Sequence, residues 1–311
     1  MSESAFIEML RALANHPAAR GLADDAAVLD IGGRNLVLTH DMLVEGVHYL
    51  ADDPPGDVAW KLLAVNLSDL AAKGARPLGI LLGYSLGEDE WDEAFVAGLG
   101  IALRAFDLPL LGGDTVRGAG PRTLALTAIG ETSGPVPSRT GGAAGDHLWV
   151  SGTIGDSGAG LRGLQGEIAS DPALTERYRN PRPRLEAGER LAPLVGAMMD
   201  VSDGLLIDAS RLAEASGVAV SINLSSVPLS EAFLALLGDG REARLAAATA
   251  GDDYELLFAA DPNRAAEILA LQDELGLPLC RIGTFTEGAG LIVTDGGKAL
   301  SLPTRLGWEH R

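Results

Sequence analysis

Residues 198–212 read MMDVSDGLLIDASRL, and the fold of the chain turns on how this stretch is interpreted. Two aspartates, Asp200 and Asp203, stand three apart at the head of a run in which Leu205, Ala209, Leu212 and Ala213 recur at helical spacing. The pattern predicts a helix with carboxylates at its start and leucines on its inner face. For Asp203 alone the ordinary explanation is a cap on free N–H groups, favoured by the helix dipole. A second stretch repeats the theme. In AVNLSDLAAKGARP, residues 64–77, Asp69 lies beside a stripe of Leu62, Leu63, Leu67 and Leu70. Asp69 and Lys73, four apart, suit a solvated helix pair. Carboxylates aimed where leucine is also being buried need a reason.

Working outward, residues 26–131 carry the β-like runs AAVLDI, NLVLTHD, PLGILLGYSL, LPLLGGD and TLALTAIGE, with helical stretches at 56–73 and 88–106. TSGPVPSRTGGAAGD, residues 132–146, is rich in turn formers and marks a junction. HLWVSG then opens a second half with a glycine-rich loop and a helix at 157–165. A Pro/Arg turn, NPRPRLEAG, follows, then the opening motif and strands near 218–224, 255–260 and 280–294. The expectation is a mixed α/β (α+β) chain of two domains, residues 1–137 and 138–311, which agrees with the usual domain size.

The 311 residues are 47% apolar, enough for a large core, and the formal charge of −19 disfavours nucleic acid and anionic membrane as partners. A single cysteine, Cys280, permits no internal disulfide and suits the reducing cytoplasm. The start, MSESAFIEMLRALANHP, reads as an amphipathic helix through Phe6, Ile7, Leu10 and Leu13 rather than a signal peptide. No apolar run is long enough for a transmembrane helix.

Familiar catalytic motifs are missing. None of the three lysines, Lys61, Lys73 and Lys298, stands in a Walker loop, and neither H-E-x-x-H nor G-x-S-x-G occurs. GAGLRG, residues 158–163, fits G-x-G-x-x-G after a strand but lacks the acid about 20 residues on that a dinucleotide site requires. What remains is a set of aspartates at strand ends and helix starts: Asp24, Asp25, Asp41, Asp69, Asp114, Asp200 and Asp203. Hard oxygen donors with little histidine and no cysteine suit Mg²⁺. Glycines and hydroxyls beside them, in LLGGDT and SGTIGDSGAG, allow close backbone approach to phosphate, and the guanidinium of Arg139 is shaped for one. Each feature singly also has a bland explanation as a turn or a loop charge.

Together DDAAVL, THDMLVEGVHY, KLLAVNLSDLAAKGARP, LLGGDTVRG, SRTGGAAGDHLWVSGTIGDSGAGL, DVSDGLLIDASRL and AGDDYELLF resemble, in that order, the thiamine-monophosphate kinase family. The resemblance runs from about residue 21 into the C-terminal tail. It implies the two-domain fold of the aminoimidazole ribonucleotide synthetase-like superfamily and a homodimer formed through the N-terminal domains. It further implies that Asp25, Thr39, Asp41, Asp69, Asp114, Asp200 and Asp203 bind several Mg²⁺ ions, that Gly113, Asp114, Arg139 and Ser202 contact ATP, and that His48, Glu255 and Trp308 line a thiamine monophosphate pocket. Without the resemblance, those last three read as a satisfied histidine, a strand-edge charge and a packing residue. The chain departs from the family at Ala23, where glycine is usual, and at His40, where threonine is usual.

The reaction so implied joins the γ-phosphoryl of ATP to the phosphate of thiamine monophosphate. That nucleophile is already an anion, so no general base is assigned. Two alternatives stay open at this point: another ATP-dependent synthetase of the superfamily, and a catalytically silent metal-binding regulator.

Overall fold

The computed structural model describes residues 3–309; Met1 and Ser2, which begin the expected first helix, and the last two residues of the second domain lie outside the described residues. The first half contains α1 (Glu3–Arg11), β1 (Ala27–Asp30), β2 (Asn35–Val44), α2 (Pro55–Ala72), β3 (Arg76–Ser85), α3 (Asp89–Ala105), β4 (Leu110–Val116) and β5 (Thr123–Thr132). Its strands form one sheet in the order β1-β2-β5-β3-β4, antiparallel except for the β3–β4 pair. Alternation along β2 and β5 turns Val37, Leu43, Leu124, Leu126 and Ala128 onto α2 and α3. The other face stays open.

The second half contains β6 (His147–Ser151), α4 (Asp156–Leu164), α5 (Pro172–Arg179), α6 (Leu185–Leu191), β7 (Ala197–Asp200), α7 (Leu205–Ser216) and β8 (Ala219–Asn223). It continues with α8 (Glu231–Leu237), α9 (Arg241–Ala248), β9 (Leu256–Ala260), α10 (Ala265–Leu275), β10 (Leu279–Thr286), β11 (Gly290–Asp295) and β12 (Lys298–Ala299). The seven strands order as β12-β11-β8-β10-β6-β9-β7. Strands β7 and β9 are buried along their whole length, and so read as continuous apolar runs.

Helix α2 joins the two halves. It is apolar nearly all round, and a helix of that kind belongs in an interior. Its early leucines lie in the first core, while Ala71 and Ala72 pack with Met198, Phe258 and Leu191 of the second.

Several expectations change. The opening motif is a strand, a turn and a helix: Asp200 ends β7, Asp203 lies in the turn, and α7 starts at Leu205. The stretch read as a Pro/Arg turn is the loop into α6, and α5, α8, α9 and α10 had no periodicity long enough to mark them. GAGLRG is interior to α4 and is no phosphate loop; a Cβ at Gly160 would meet the Leu174 carbonyl oxygen at 2.1 Å, so this glycine serves the close packing of α4 on α5. Helix α1 forms, but its apolar side is not buried: Phe6 is 52% and Met9 60% exposed. Among the described residues, no helix is long and apolar enough to cross a membrane.

Candidate functional site

Each buried polar side chain of α2 serves an acid or the turn around one. Asn66 Oδ1 accepts from the Asp41 backbone N–H at 3.0 Å, and Ser68 Oγ donates to Asp200 Oδ2 at 2.5 Å. Asp69 receives the Thr39 hydroxyl. Lys61 Nζ reaches Asp252 Oδ2 at 2.7 Å and the His48 carbonyl at 3.1 Å, and lies 3.9 Å above the Tyr178 ring. Lys73 does not pair with Asp69 on a wet face. It is fully enclosed and bridges Asp24 and Asp25, at 2.6 Å each. A buried polar group without a partner is costly, so this pairing fixes α2 in rotation and register between the two sheets.

Three acids from three elements converge there. Asp25, Asp69 and Asp200 each bring a carboxylate oxygen into a group whose members lie within 4.8 Å of one another. Asp41 is adjacent, and all four line a cleft of 1560 Å³ between the two halves. Burial pushes the Asp200 carboxyl from 3.8 up to about 8, aided by the charge of Asp25, and pushes Asp41 up to about 6. Burial, with Asp41 and Asp200 nearby, holds Asp69 well above the ordinary range. At Asp25 burial works in the same direction but is outweighed by Lys73 and Arg139, so its carboxyl stays below the ordinary value. Ion pairs among the described residues reach Asp25 but neither Asp69 nor Asp200, which are met by hydroxyls. Four oxygen-donor side chains, three of them raised by burial and crowding, fit a hard divalent cation such as Mg²⁺.

The wall opposite α2 is the turn 201–204. Asp208, in the first turn of α7, accepts from three successive backbone N–H groups, those of Ser202, Asp203 and Gly204, at 3.0–3.1 Å. Its own carboxyl is pushed by burial up to about 7. The same turn holds the C-terminal tail, since the Trp308 N–H donates to the Asp203 carbonyl at 2.8 Å. Gly307 permits that approach: a Cβ there would fall 2.5 Å from the same carbonyl oxygen. Arg139 spans the halves. Its carbonyl accepts from Ser216 Oγ on α7, while its guanidinium holds Asp25.

The cleft thus gathers Asp25, Asp41, Asp69, Asp200, Ser202, Asp203, Arg139, His48 and Trp308, with Thr39 behind Asp69. Three sequence-expected residues stand elsewhere. Gly113 lies on β4 in register with Asp41 (Asp41, Leu126, Leu82, Gly113), three strand spacings away, or roughly 14 Å. Asp114 belongs to the next row, with Met42, Ala125 and Gly83, so it faces the opposite side of the sheet from Asp41. It lines a separate hollow with Tyr84 and Val116. Glu255 is fully buried and lies off the cleft lining, its carboxylate held by Ser151, Arg177 and Arg184. The irregular backbone before β9 is the reason: with Asp252 (φ 68°) and Tyr254 (φ 51°) in the left-handed region, Asp252 and Tyr254 line the cleft and Glu255 does not.

The two departures also find their places. His40 faces the open side of the sheet, with Nδ1 2.8 Å from Thr127 Oγ1, and its side chain turns away from the acids. Ala23 has φ −122°, which alanine adopts without strain. Residues missed by sequence reasoning include Lys61, Lys73, Asp208, Arg211 and Asp252. The signal was present for the lysines, which are the only cations on a helix too apolar to be at the surface.

Comparison with known proteins adds the family. Residues 23–132 match the N-terminal domain, and residues 143–296 the C-terminal domain, of AIR synthase related proteins. The thiamine-monophosphate kinase of Caulobacter vibrioides is 43% identical over 303 residues, covering 94% of this chain and 86% of that protein. That of Escherichia coli K12 is 37% identical over 300 residues, 93% and 91% covered. The chain belongs to the thiamine-monophosphate kinase family. Among solved structures, AaThiL complexed with AMPPCP and TMP superimposes with a TM-score of 0.87 at 31% identity, over 100% of this chain and 97% of that one. The thiamine-monophosphate kinase from Stenotrophomonas maltophilia K279a gives 0.78 at 40% identity, over 95% and 96%. The hydrogenase maturation protein HypE of E. coli, at 24% identity and 0.72, shares the fold.

Proposed function

We propose that this cleft transfers the γ-phosphoryl group of ATP to the phosphate of thiamine monophosphate, forming thiamine diphosphate and ADP by direct in-line attack. The observation that carries the reading is the convergence of Asp25, Asp69 and Asp200 within 4.8 Å on the floor of a cleft that Arg139 also lines. Two unit charges 4 Å apart repel by roughly 4 kcal/mol at an effective dielectric near 20, and each phosphate carries more than one charge. Bound Mg²⁺ would offset that repulsion and stabilise charge on the transferring group. Asp25, Asp41, Asp69 and Asp200, with Thr39 and Asp203 at the margin, would hold the ions.

The protein's own contribution is positioning. The acceptor phosphate is already ionised, so none of the carboxyls has to take a proton from it. Asp208 locks the turn that presents Ser202, whose hydroxyl with the Arg139 guanidinium would meet the nucleotide phosphates. Rigid placement on strand ends and on one buried helix keeps the phosphates aligned. His48 and Trp308 would take the acceptor, the indole stacking on its cationic thiazolium ring for about 0.5–2 kcal/mol. Glu255 acts from behind, pinning Arg177 and Arg184 of the α5–α6 segment.

Asp114 is accounted for by pairing. The open face of the first sheet carries His40, Met42 and Leu81, all exposed, beside β4, which is exposed along its length. A second copy seated there would form a homodimer through the N-terminal domains and bring Gly113 and Asp114 to an interface rather than to their own chain's acids. The lone cysteine fits a cytoplasmic setting.

An ADP-release assay comparing thiamine monophosphate, thiamine and aminoimidazole ribonucleotide precursors tests the reading. Turnover with thiamine monophosphate only is expected; ADP release driven by another acceptor would replace it.

A further inference from the structure

Lys73 supplies the acid cluster with charge before any ion arrives. It ends α2, is fully enclosed, and sets its Nζ 2.6 Å from Asp24 Oδ1, 2.6 Å from Asp25 Oδ2 and 3.2 Å from the Met198 carbonyl oxygen. Stripping an ammonium of its water is costly, so a lysine in this place has to be answered by the charges it meets. Asp24 does not need it, because Arg20 Nη1 already sits 2.5 Å from Asp24 Oδ2. Asp25 does not rely on it alone either, because Arg139 Nε donates to its other oxygen at 2.8 Å. The beneficiary is the wider cluster. Asp25, Asp69 and Asp200 gather within 4.8 Å of one another and Asp41 lines the cleft beside them, with Lys73 and Arg139, both on Asp25, as the cations in contact. Fully ionised, the group retains two negative charges, which a single divalent cation cancels. Without Lys73 it would retain three.

We propose that Lys73 is a fixed internal cation on the Asp25 side of the site, and that it restricts the nucleotide-free protein to one divalent ion held at moderate affinity. Further ions then enter only with the negative charge of the substrate phosphates. The same contact holds the Asp25 carboxylate directed at the cluster while the site is empty of substrate. This inference rests on the acids being a metal site, and the experiment separates the two.

Mn²⁺ binding to the full chain without nucleotide, followed by the paramagnetic resonance of free Mn²⁺, compares wild type with Lys73→Met, which keeps side-chain length and loses the charge. Wild type should bind one ion. Lys73→Met should bind a second, or bind the first at least ~10-fold more tightly, as an additional unpaired carboxylate demands. Its melting temperature should fall in EDTA and recover on adding Mn²⁺. If Lys73→Met folds poorly, Lys73→Gln, which also loses the charge but keeps a donor for the Asp24 and Asp25 carboxylates, takes its place with the same expectation. Equal stoichiometry and affinity in variant and wild type overturn the role of Lys73. Failure of wild type itself to bind Mn²⁺ overturns the metal site instead.

Discussion

Asp200→Asn should stabilise the metal-free protein, and the size of the effect follows from the surroundings of the carboxyl. Burial and neighbouring acids lift it from 3.8 to about 8. A group whose folded pKa lies above its unfolded value adds stability below the unfolded pKa and loses it as pH rises through the folded one. The losing window here runs from about pH 4 to about pH 8. At ~1.4 kcal/mol per unit the full span is about 6 kcal/mol; shared with the acids that titrate alongside, roughly half, about 3 kcal/mol, falls to Asp200. Asparagine keeps an acceptor for Ser68 Oγ, now 2.5 Å from the carboxylate, and removes the charge. In EDTA near pH 8 the variant should therefore melt roughly 6–12 °C above wild type. The gap should narrow as pH is lowered towards about 5.5, where the wild-type carboxyl is protonated. Mg²⁺ should reverse the order, because wild type gains ion binding that the variant lacks. Differential scanning calorimetry with and without Mg²⁺ reads all three effects. A variant that melts below wild type in EDTA near pH 8 would show that the acids are not in electrostatic conflict, and the reasoning would fail.

Three other outcomes are expected. Trp308→Ala should weaken thiamine monophosphate binding by about 3- to 30-fold with little change for an ATP analogue, as the loss of one cation–π contact requires; calorimetric titration giving equal losses for both would refute the stacking role. Asp208→Asn should raise KM for ATP about 10-fold or more while changing kcat less, because three charge-assisted hydrogen bonds that shape the 202–204 turn become neutral ones; steady-state kinetics with KM unchanged would remove Asp208 from the site. Leu81→Lys places a charge on the open face of the first sheet and should convert the proposed homodimer to monomer in sedimentation; a variant that still sediments as a dimer would put the interface elsewhere.

Much of the site was legible because its chemistry is local. Asp200 and Asp203 stand out as acids beside an apolar periodic run, although the strand that ends at Asp200 was hidden in what reads as a helix start, and Asp69 stands out on a leucine-rich helix. Asp25 and Arg139 were legible as acid and phosphate donor but not as partners, since their contact spans 114 residues of sequence. Glu255 lies off the cleft lining because the backbone of DDYE turns through left-handed conformations at Asp252 and Tyr254, which no pattern in DDYELLF announces. Asp114 was grouped with the other acids for its type, whereas pairing through β5 and β3 puts it on the opposite face of the sheet. Lys73 was read as half of a surface helix pair, because i to i+4 spacing says nothing about burial; the apolar residues on all sides of α2 were the overlooked clue. Helices α5, α6 and α8 are seven or eight residues long, too short for periodicity to rise above noise.

Crystals grown with Mn²⁺ and a non-hydrolysable ATP analogue offer the sharpest check, because anomalous scattering locates the ions without reference to activity. Peaks bridging Asp25, Asp69 and Asp200 beneath the nucleotide phosphates are the expected result. Nucleotide bound in the cleft with no peak within coordination distance of those carboxylates would contradict the account at its root.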